Sequence, residues 1–161
     1  MMPRLLPRFF KAREGAALVE FTLVAPLLIL LMCGMAEFSN AMRQYHVMEK
    51  GVRDAGRYLA RVPMSGCTIS GAATTEAKNL AITGRISSGA ALLPNWTDPA
   101  TVTVSVSDCF NNAGGAYRGH AVIPIIQVTA NAPYQDVGML SIIGVSGLQL
   151  QVTHRQLWVG Q

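Results

Sequence analysis

Residues Ala16 to Met35 form an apolar stretch in which Glu20 is the only charged side chain. A helix of about 20 residues, rising about 1.5 Å per residue, is long enough to cross the roughly 30 Å core of a bilayer. A membrane span must satisfy its own backbone hydrogen bonds, so we expect a helix here. Pro26 removes one backbone donor in mid-span and predicts a kink or a local loosening. Glu20 needs an explanation, because a central charge costs about 2.5 kcal/mol or more on insertion scales.

The distribution of charge agrees with a membrane-anchored chain. Only 14% of the residues are charged, against about 25% in typical soluble domains. Most of the net charge of +4 lies in the first fifteen residues, which hold Arg4, Arg8, Lys11, Arg13 and Glu14. Basic residues flank membrane spans on the cytoplasmic side, so the amino terminus is expected in the cytoplasm and the bulk of the chain outside. Basicity this local is not the footprint of a nucleic-acid-binding surface, so nucleic acid is not an expected partner.

Two simpler explanations of the apolar stretch fit less well. A cleaved secretory signal has a shorter apolar core and a small-x-small cleavage site, whereas this run ends in LMCGMAEFSN. The lipoprotein version of such a signal would be cut before Cys33, but Met32 is too large for the position that precedes the cysteine. An uncleaved anchor fits the length but leaves Glu20 unexplained.

The stretch REGAALVEF, residues 13–21, resembles the processing site of type IV-type prepilins. That site has a basic leader, a glycine, and an apolar segment with glutamate at its fifth position and an aromatic residue at its sixth. Gly15, Ala16, Glu20 and Phe21 match it position by position. The resemblance implies that a prepilin peptidase cuts after Gly15. It also implies that Glu20 pairs with the new amine of Ala16, its own or a neighbour's, which would offset the cost of burying the acid.

The wider pattern resembles the TadE-like pseudopilins of the tight-adherence (Flp-type) pilus system, over roughly residues 13–62. The matching positions are Gly15, Val19, Glu20, Phe21, Pro26 and Leu27. The resemblance implies a non-enzymatic minor pilin or pseudopilin in the bacterial inner membrane. It would cross the membrane once, with its carboxy-terminal domain in the periplasm. Its partners would be prepilin peptidase and other pilins and pseudopilins. Whether it enters, caps or primes the fibre stays open.

The expected organisation has four parts: a cleaved basic leader (1–15), a transmembrane helix (16–35), a stalk helix (36–62) and a small α+β periplasmic domain (63–161). In the stalk, apolar residues recur at close to helical spacing. They are Phe38, Met42, Tyr45, Val52, Ala55, Leu59 and Val62. Pro63 should end this helix. The outer half of the stalk is expected to pack on the protein's own sheet and the inner half on other subunits.

The fold class predicted is α+β, with a long transmembrane-plus-stalk helix packed on a small antiparallel sheet, as in pilins. A short helix over 74–84 should stop at Gly84. Alternating or apolar runs predict strands over 101–107, 120–132 and 148–159. Pro124 argues that the second strand lies at an edge or beside a bulge. The segment 134–147 is either a short helix or a surface loop, and its apolar residues either form an exposed docking patch or tuck into the core.

Three cysteines divide into one apolar and two loop-like positions. Cys33 lies in the apolar stretch, whereas Cys67 and Cys109 lie in polar surroundings. This usage fits one disulfide, Cys67–Cys109, in an oxidising compartment. The alternative is that both loop cysteines stay free. The bridge would close a loop of about 40 residues, which stabilises by about 4 kcal/mol in the chain-entropy model.

The sequence contains no catalytic motif that we recognise, and no zinc-ligand spacing. His46 and His154 are expected to be solvated. We therefore expect no catalytic, cofactor-binding or metal-ligating residues and no small-molecule substrate. Two other functions stay open. One is an uncleaved single-pass inner-membrane protein with a periplasmic binding or scaffold domain, and the other is a membrane-tethered enzyme with an unrecognised site.

Overall fold

A computed structural model of the chain describes residues 13–112, 120–142 and 144–160. Residues 1–12 of the predicted leader, residues 113–119, Ile143 and Gln161 lie outside the described residues. The chain divides into two compact units, Met1–Ser39 and Asn40–Gln161. Each is described by itself.

The elements are three helices, a short 3₁₀ turn and three strands within the described residues. The helices are α1 (Arg13–Leu59), α2 (Gly71–Thr83) and α3 (Met139–Ile142), and the 3₁₀ turn is Pro99–Thr101. The strands are β1 (Val102–Asn111), β2 (Val122–Pro133) and β3 (Gln149–Leu157). A long amino-terminal helix with a small antiparallel sheet confirms the predicted α+β class.

In the second unit, one stripe of α1 is the centre of the hydrophobic core. Met48, Val52, Ala55 and Leu59 are at most 1% exposed. Met42 and Tyr45, by contrast, are 38% and 37% exposed. At about 100° per residue Tyr45 lies only about 20° from Val52 around the helix, and Met42 lies about 80° from it. The apolar residues of the stalk are therefore buried over its outer half and exposed at Met42 and Tyr45, in its inner half.

Two glycines let other elements come close to α1. A Cβ built on Gly51 would lie 2.2 Å from the carbonyl oxygen of Ala81, on α2. A Cβ on Gly56 would lie 2.9 Å from Cδ2 of His154, on β3. Glycine at these positions trades helix propensity for close approach, by a backbone at Gly51 and by a side chain at Gly56.

The short helix α2 has a defined cap at each end. The Ser70 side chain accepts a hydrogen bond from the Ala73 amide at 3.2 Å, which satisfies one of the free donors of the first turn. Gly84 has φ 71° and its amide donates to the Leu80 carbonyl at 2.9 Å. Glycine is favoured in this left-handed position, so the stop lies where the sequence predicted it.

The sheet is antiparallel with strand order β1-β2-β3, so β2 is its central strand. The edge position considered for Pro124 is therefore wrong, while the predicted bulge is present. The register between β1 and β2 shifts between Val106 and Asp108, next to the pairing of Cys109 with Pro124. Proline cannot donate to a ladder, and an irregularity beside it limits the loss. The Pro124 carbonyl still accepts a hydrogen bond from the Trp158 amide at 3.0 Å.

The carboxy-terminal segment holds the end of α1. The helix ends at Leu59 rather than Val62, and its last turn tightens through a bond from the Arg61 amide to the Tyr58 carbonyl at 3.0 Å. The Ala60 carbonyl then accepts from the Val159 amide at 3.0 Å, and the Val62 carbonyl accepts from Trp158 Nε1 at 2.9 Å. Free carbonyls at a helix end need such partners.

The predicted disulfide is present between Cys67 and Cys109, with their Cα atoms 6.1 Å apart. It joins the segment after α1 to β1. Cys33 is free and half-buried.

Candidate assembly surface of the N-terminal helix

In the first unit, α1 presents apolar side chains with no cover. Its most apolar 18-residue window has a mean hydropathy of 2.4, and none of that window is buried. Leu23 is 75% exposed, Phe21 65% and Leu18 69%. Among the described residues, this is the one helix long and apolar enough to cross a membrane. An apolar surface of this extent requires lipid or other helices around it.

Gly15 and Ala16, the predicted processing positions, lie in the first turns of α1 and are exposed. No atom lies within 4 Å of a Cβ built on Gly15. The glycine is therefore not required there by packing within the chain, in contrast to Gly51 and Gly56. A requirement for glycine at position 15 would have to come from another molecule.

The predicted assembly residues Glu20, Phe21 and Pro26 also lie on α1 and are exposed. The helix continues through Pro26. Among the described residues no side chain forms an ion pair with Glu20. The structure therefore places these residues on one helix but does not bring a partner to the carboxylate.

In the second unit, the side of α1 that carries Met42 and Tyr45 is exposed. Its other side forms a polar junction that sequence reasoning missed, in which Asn40, Gln44 and Asn95 hydrogen-bond to the chain at 133–135. Gln44 is 2% exposed. Its Nε2 donates to the Gln135 carbonyl at 2.7 Å, and its Oε1 accepts from the Gln135 amide at 3.2 Å. Asn95 Nδ2 donates to the same Oε1 at 3.2 Å. The sequence offered one signal, because Gln44 lies four residues before the apolar Met48 and therefore on the same side of the helix.

Asn40 adds to this junction from the helix turn before Gln44. Its Nδ2 donates to the Gln135 carbonyl at 2.8 Å and to the Tyr134 hydroxyl at 3.2 Å. Together, Asn40 and Gln44 fix the chain that leaves β2 against α1. Asn95 Nδ2 also donates to the Pro133 carbonyl, so three consecutive residues of that chain are hydrogen-bonded.

Near the end of α1, the Tyr58 hydroxyl donates to the Glu76 carboxylate on α2. This hydrogen bond, with burial and the negative charge of Glu76, raises the pKa of Tyr58 to about 12. Tyr58 also borders an open surface groove of about 690 Å³, whose lining includes Asp54, Arg57 and Arg61.

The histidines are dispersed over the second unit. The side chain of His46 is 63% exposed and approaches Glu49 at 3.6 Å, as expected for a solvated residue. His154 is half-buried beneath Gly56, so its predicted solvation is wrong. It shares the inward face of β3 with Val152, since alternate residues of a strand point the same way. Among the described residues no three His, Cys, Asp or Glu side chains form a cluster suited to a metal ion.

Comparison with known proteins identifies the region of the chain that contains the predicted processing and assembly residues. Residues 15–57 match the family model described as TadE-like protein. The match lies within α1 and includes all five predicted processing and assembly residues, which confirms the resemblance read from the sequence. It supports a pilin-like protein associated with a tight-adherence pilus. No curated protein and no solved structure matches the chain.

The TadE-like region, residues 15–57, ends before α2 and the sheet. The family is generally structural and not catalytic. Its apolar helix is compatible with single-pass anchoring in a membrane.

Proposed function

We propose that this chain is a non-enzymatic, membrane-anchored pseudopilin that contributes to assembly of a tight-adherence pilus. The observation that carries the proposal is the bare apolar stretch 16–35 of α1, whose one acid, Glu20, lies five positions after Gly15. A helix without cover and with a lone carboxylate is suited to a bundle of similar helices that supplies both apolar contact and a positive partner.

Processing by prepilin peptidase would create that partner. Cleavage after Gly15 leaves an α-amine on Ala16, which is mostly protonated at neutral pH because its pKa is near 8. Residues four apart share one face of a helix, so the amine lies within reach of its own Glu20 or of a neighbour's. A neutral residue at position 20 would remove the charge pair and with it a constraint on the register between helices.

In this proposal the four predicted parts keep their roles. The leader (1–15) stays in the cytoplasm and is removed, and residues 16–35 lie in the inner membrane. The stalk (36–62) and the domain 63–161 lie in the periplasm. Met42 and Tyr45 are exposed on the stalk, where another pilin or pseudopilin can pack.

The test measures processing and assembly separately. A carboxy-terminally tagged chain is expressed with and without prepilin peptidase, and its amino terminus is read by intact mass. We expect the product to begin at Ala16 only when the peptidase is present. Gly15→Val should block cleavage, and Gly34→Val is the matched control, because Gly34 also has no atom within 4 Å of a Cβ.

Glu20→Gln tests the pairing. We expect this variant to be cleaved normally yet lost from cross-linked complexes with other pilins and from surface fibres. Normal piliation of the Glu20→Gln strain would refute the pairing. A product that begins at Met1 in both strains would favour the alternative, an uncleaved single-pass membrane protein with a periplasmic binding or scaffold domain.

A further inference from the structure

We infer that the second unit carries a further membrane contact, a lipid patch formed by Val137, Ile142, Val145 and Leu148. The patch lies in the segment between β2 and β3 and would rest in the headgroup region of the bilayer that holds residues 16–35. The inference rests on the membrane anchoring in the proposed function and goes beyond it, because it assigns a surface and a ligand class outside the TadE-like region.

The lipid patch is apolar and open. Val137 is 58% exposed, Ile142 84%, Val145 38% and Leu148 46%. Single exposed apolar residues are ordinary, but four within one short segment mark an interaction surface.

Hydrogen bonds within the segment give the patch a defined backbone. The Tyr134 amide donates to the Leu148 carbonyl at 2.8 Å and closes the base of the segment. The Val145 amide donates to the Leu140 carbonyl at 2.9 Å, just after α3. The exposed side chains are thus presented by a folded segment.

The polar junction ties this segment to the first turns of α1 in the second unit. Gln135, two residues before Val137, is bonded to both Asn40 and Gln44. Asn40 in turn follows the last apolar residue of the span, Met35, by five positions. Five residues extend at most about 18 Å, so the chain itself keeps the base of the segment close to the membrane surface.

The charge of the segment selects the kind of contact. Residues 134–148 contain no lysine or arginine and a single acid, Asp136. Its Oδ2 accepts a hydrogen bond from the Ser141 amide at 3.1 Å. Attraction to anionic headgroups cannot hold such a segment, so contact must come from apolar insertion. Tyr134 fits this environment, since tyrosine is enriched where an apolar region meets water.

The experiment measures depth in the bilayer with a nitroxide on the full chain, in nanodiscs of phosphatidylethanolamine and phosphatidylglycerol that hold one chain each. Cys33→Ser removes the free thiol and leaves the disulfide. The label is placed at Ile142→Cys or at the matched control Ile86→Cys, which replaces another exposed isoleucine, 49% exposed. Ile86 follows α2, which contacts α1 at Gly51, about 16 Å further along the helix than Asn40.

Accessibility to oxygen, which concentrates in lipid, is compared with accessibility to a nickel chelate, which stays in water. We expect the oxygen-to-nickel ratio at position 142 to exceed that at 86 several-fold. We also expect little change when phosphatidylglycerol is omitted or salt is raised, because the segment is not basic. Equal ratios at the two positions would overturn the inference.

Two further readings separate the alternatives. A label at Leu28→Cys reports on anchoring. A water-accessible position 28 would refute the proposed anchoring, whereas a lipid-exposed 28 with a water-accessible 142 would overturn the lipid patch alone. If position 142 becomes protected only in discs that hold two chains, the occupant is a second copy, and the assignment to lipid is wrong.

Discussion

Replacing Gly51 with alanine tests the close approach of α1 and α2. The new Cβ would lie 2.2 Å from the Ala81 carbonyl oxygen and 3.1 Å from its carbon. Both obstacles are backbone, so no side chain can rotate away and one helix has to shift by about 1 Å to regain an ordinary contact. Overpacking of this kind costs about 1–3 kcal/mol, and a fixed obstacle argues for the upper end. Alanine recovers about 1 kcal/mol of helix propensity. The expected net loss is about 2 kcal/mol.

The measurement is urea unfolding of the full chain in detergent, followed by the fluorescence of the buried Trp96 and Trp158. With an m-value of about 2 kcal/mol/M, the midpoint should fall by about 1 M. Gly71→Ala is the matched control, because a Cβ on Gly71 has no atom within 4 Å, and it should be neutral or slightly stabilising. Gly56→Ala should cost less than Gly51→Ala, since its obstacle is the His154 ring. A Gly51→Ala midpoint equal to or above that of the parent chain would refute the close approach.

Three further predictions concern the second unit. Replacing Cys67 and Cys109 by serine should lower the unfolding free energy by about 4 kcal/mol in the chain-entropy model for a separation of 42 residues, and Cys33→Ser should leave the urea midpoint unchanged. Folding raises the pKa of Tyr58 from 10.0 to about 12, so its stabilising contribution is complete below about pH 10 and is lost as the pH rises to about 12. The urea midpoint of the parent chain should therefore fall between about pH 9 and 11. Tyr58→Phe should remove the part of this fall that comes from Tyr58. Gln44→Leu removes three hydrogen bonds, of which the one from the Gln135 amide has no replacement among the other bonds of the junction, and it should cost about 1–3 kcal/mol. Amide exchange at residues 134–148, measured by mass spectrometry, should become faster. Exchange unchanged from the parent chain would contradict the role of the junction.

Local chemistry was enough to predict much of this fold. The apolar run fixed a helix, period-two alternation gave Val102 and Val104 their strand, and the left-handed preference of glycine gave the stop at Gly84. The disulfide followed from the contrast between one cysteine in an apolar stretch and two in polar stretches of sequence, although Cys109 lies on β1 and not in the predicted loop. In each case the deciding interactions lie within a few residues, or follow from the local surroundings of each cysteine.

What the sequence missed depends on contacts between distant positions. From the sequence of β2 alone, Pro124 favours an edge strand. The strand is nevertheless central, because the register between β1 and β2 shifts beside the proline. Gln44 looks like a solvated residue until Gln135, far along the chain, brings its amide and carbonyl to it. His154 seemed polar by residue type, although its position on β3 gives it the inward direction.

The two parts of α1 differ in what selects their residues. In the second unit, Gly51, Met48 and Val52 are fitted to partners within the chain, so their substitution should be read in stability. In the first unit, Gly15 and Glu20 have open surroundings among the described residues, and nothing in the fold demands a glycine or an acid there. A residue that costs free energy in a membrane and stabilises nothing in its own chain requires an external reason. Substitutions at Gly15 and Glu20 should therefore leave the unfolding of the second unit unchanged while they abolish processing or assembly. A loss of stability in the second unit of the Glu20→Gln chain would show that the acid serves the fold after all.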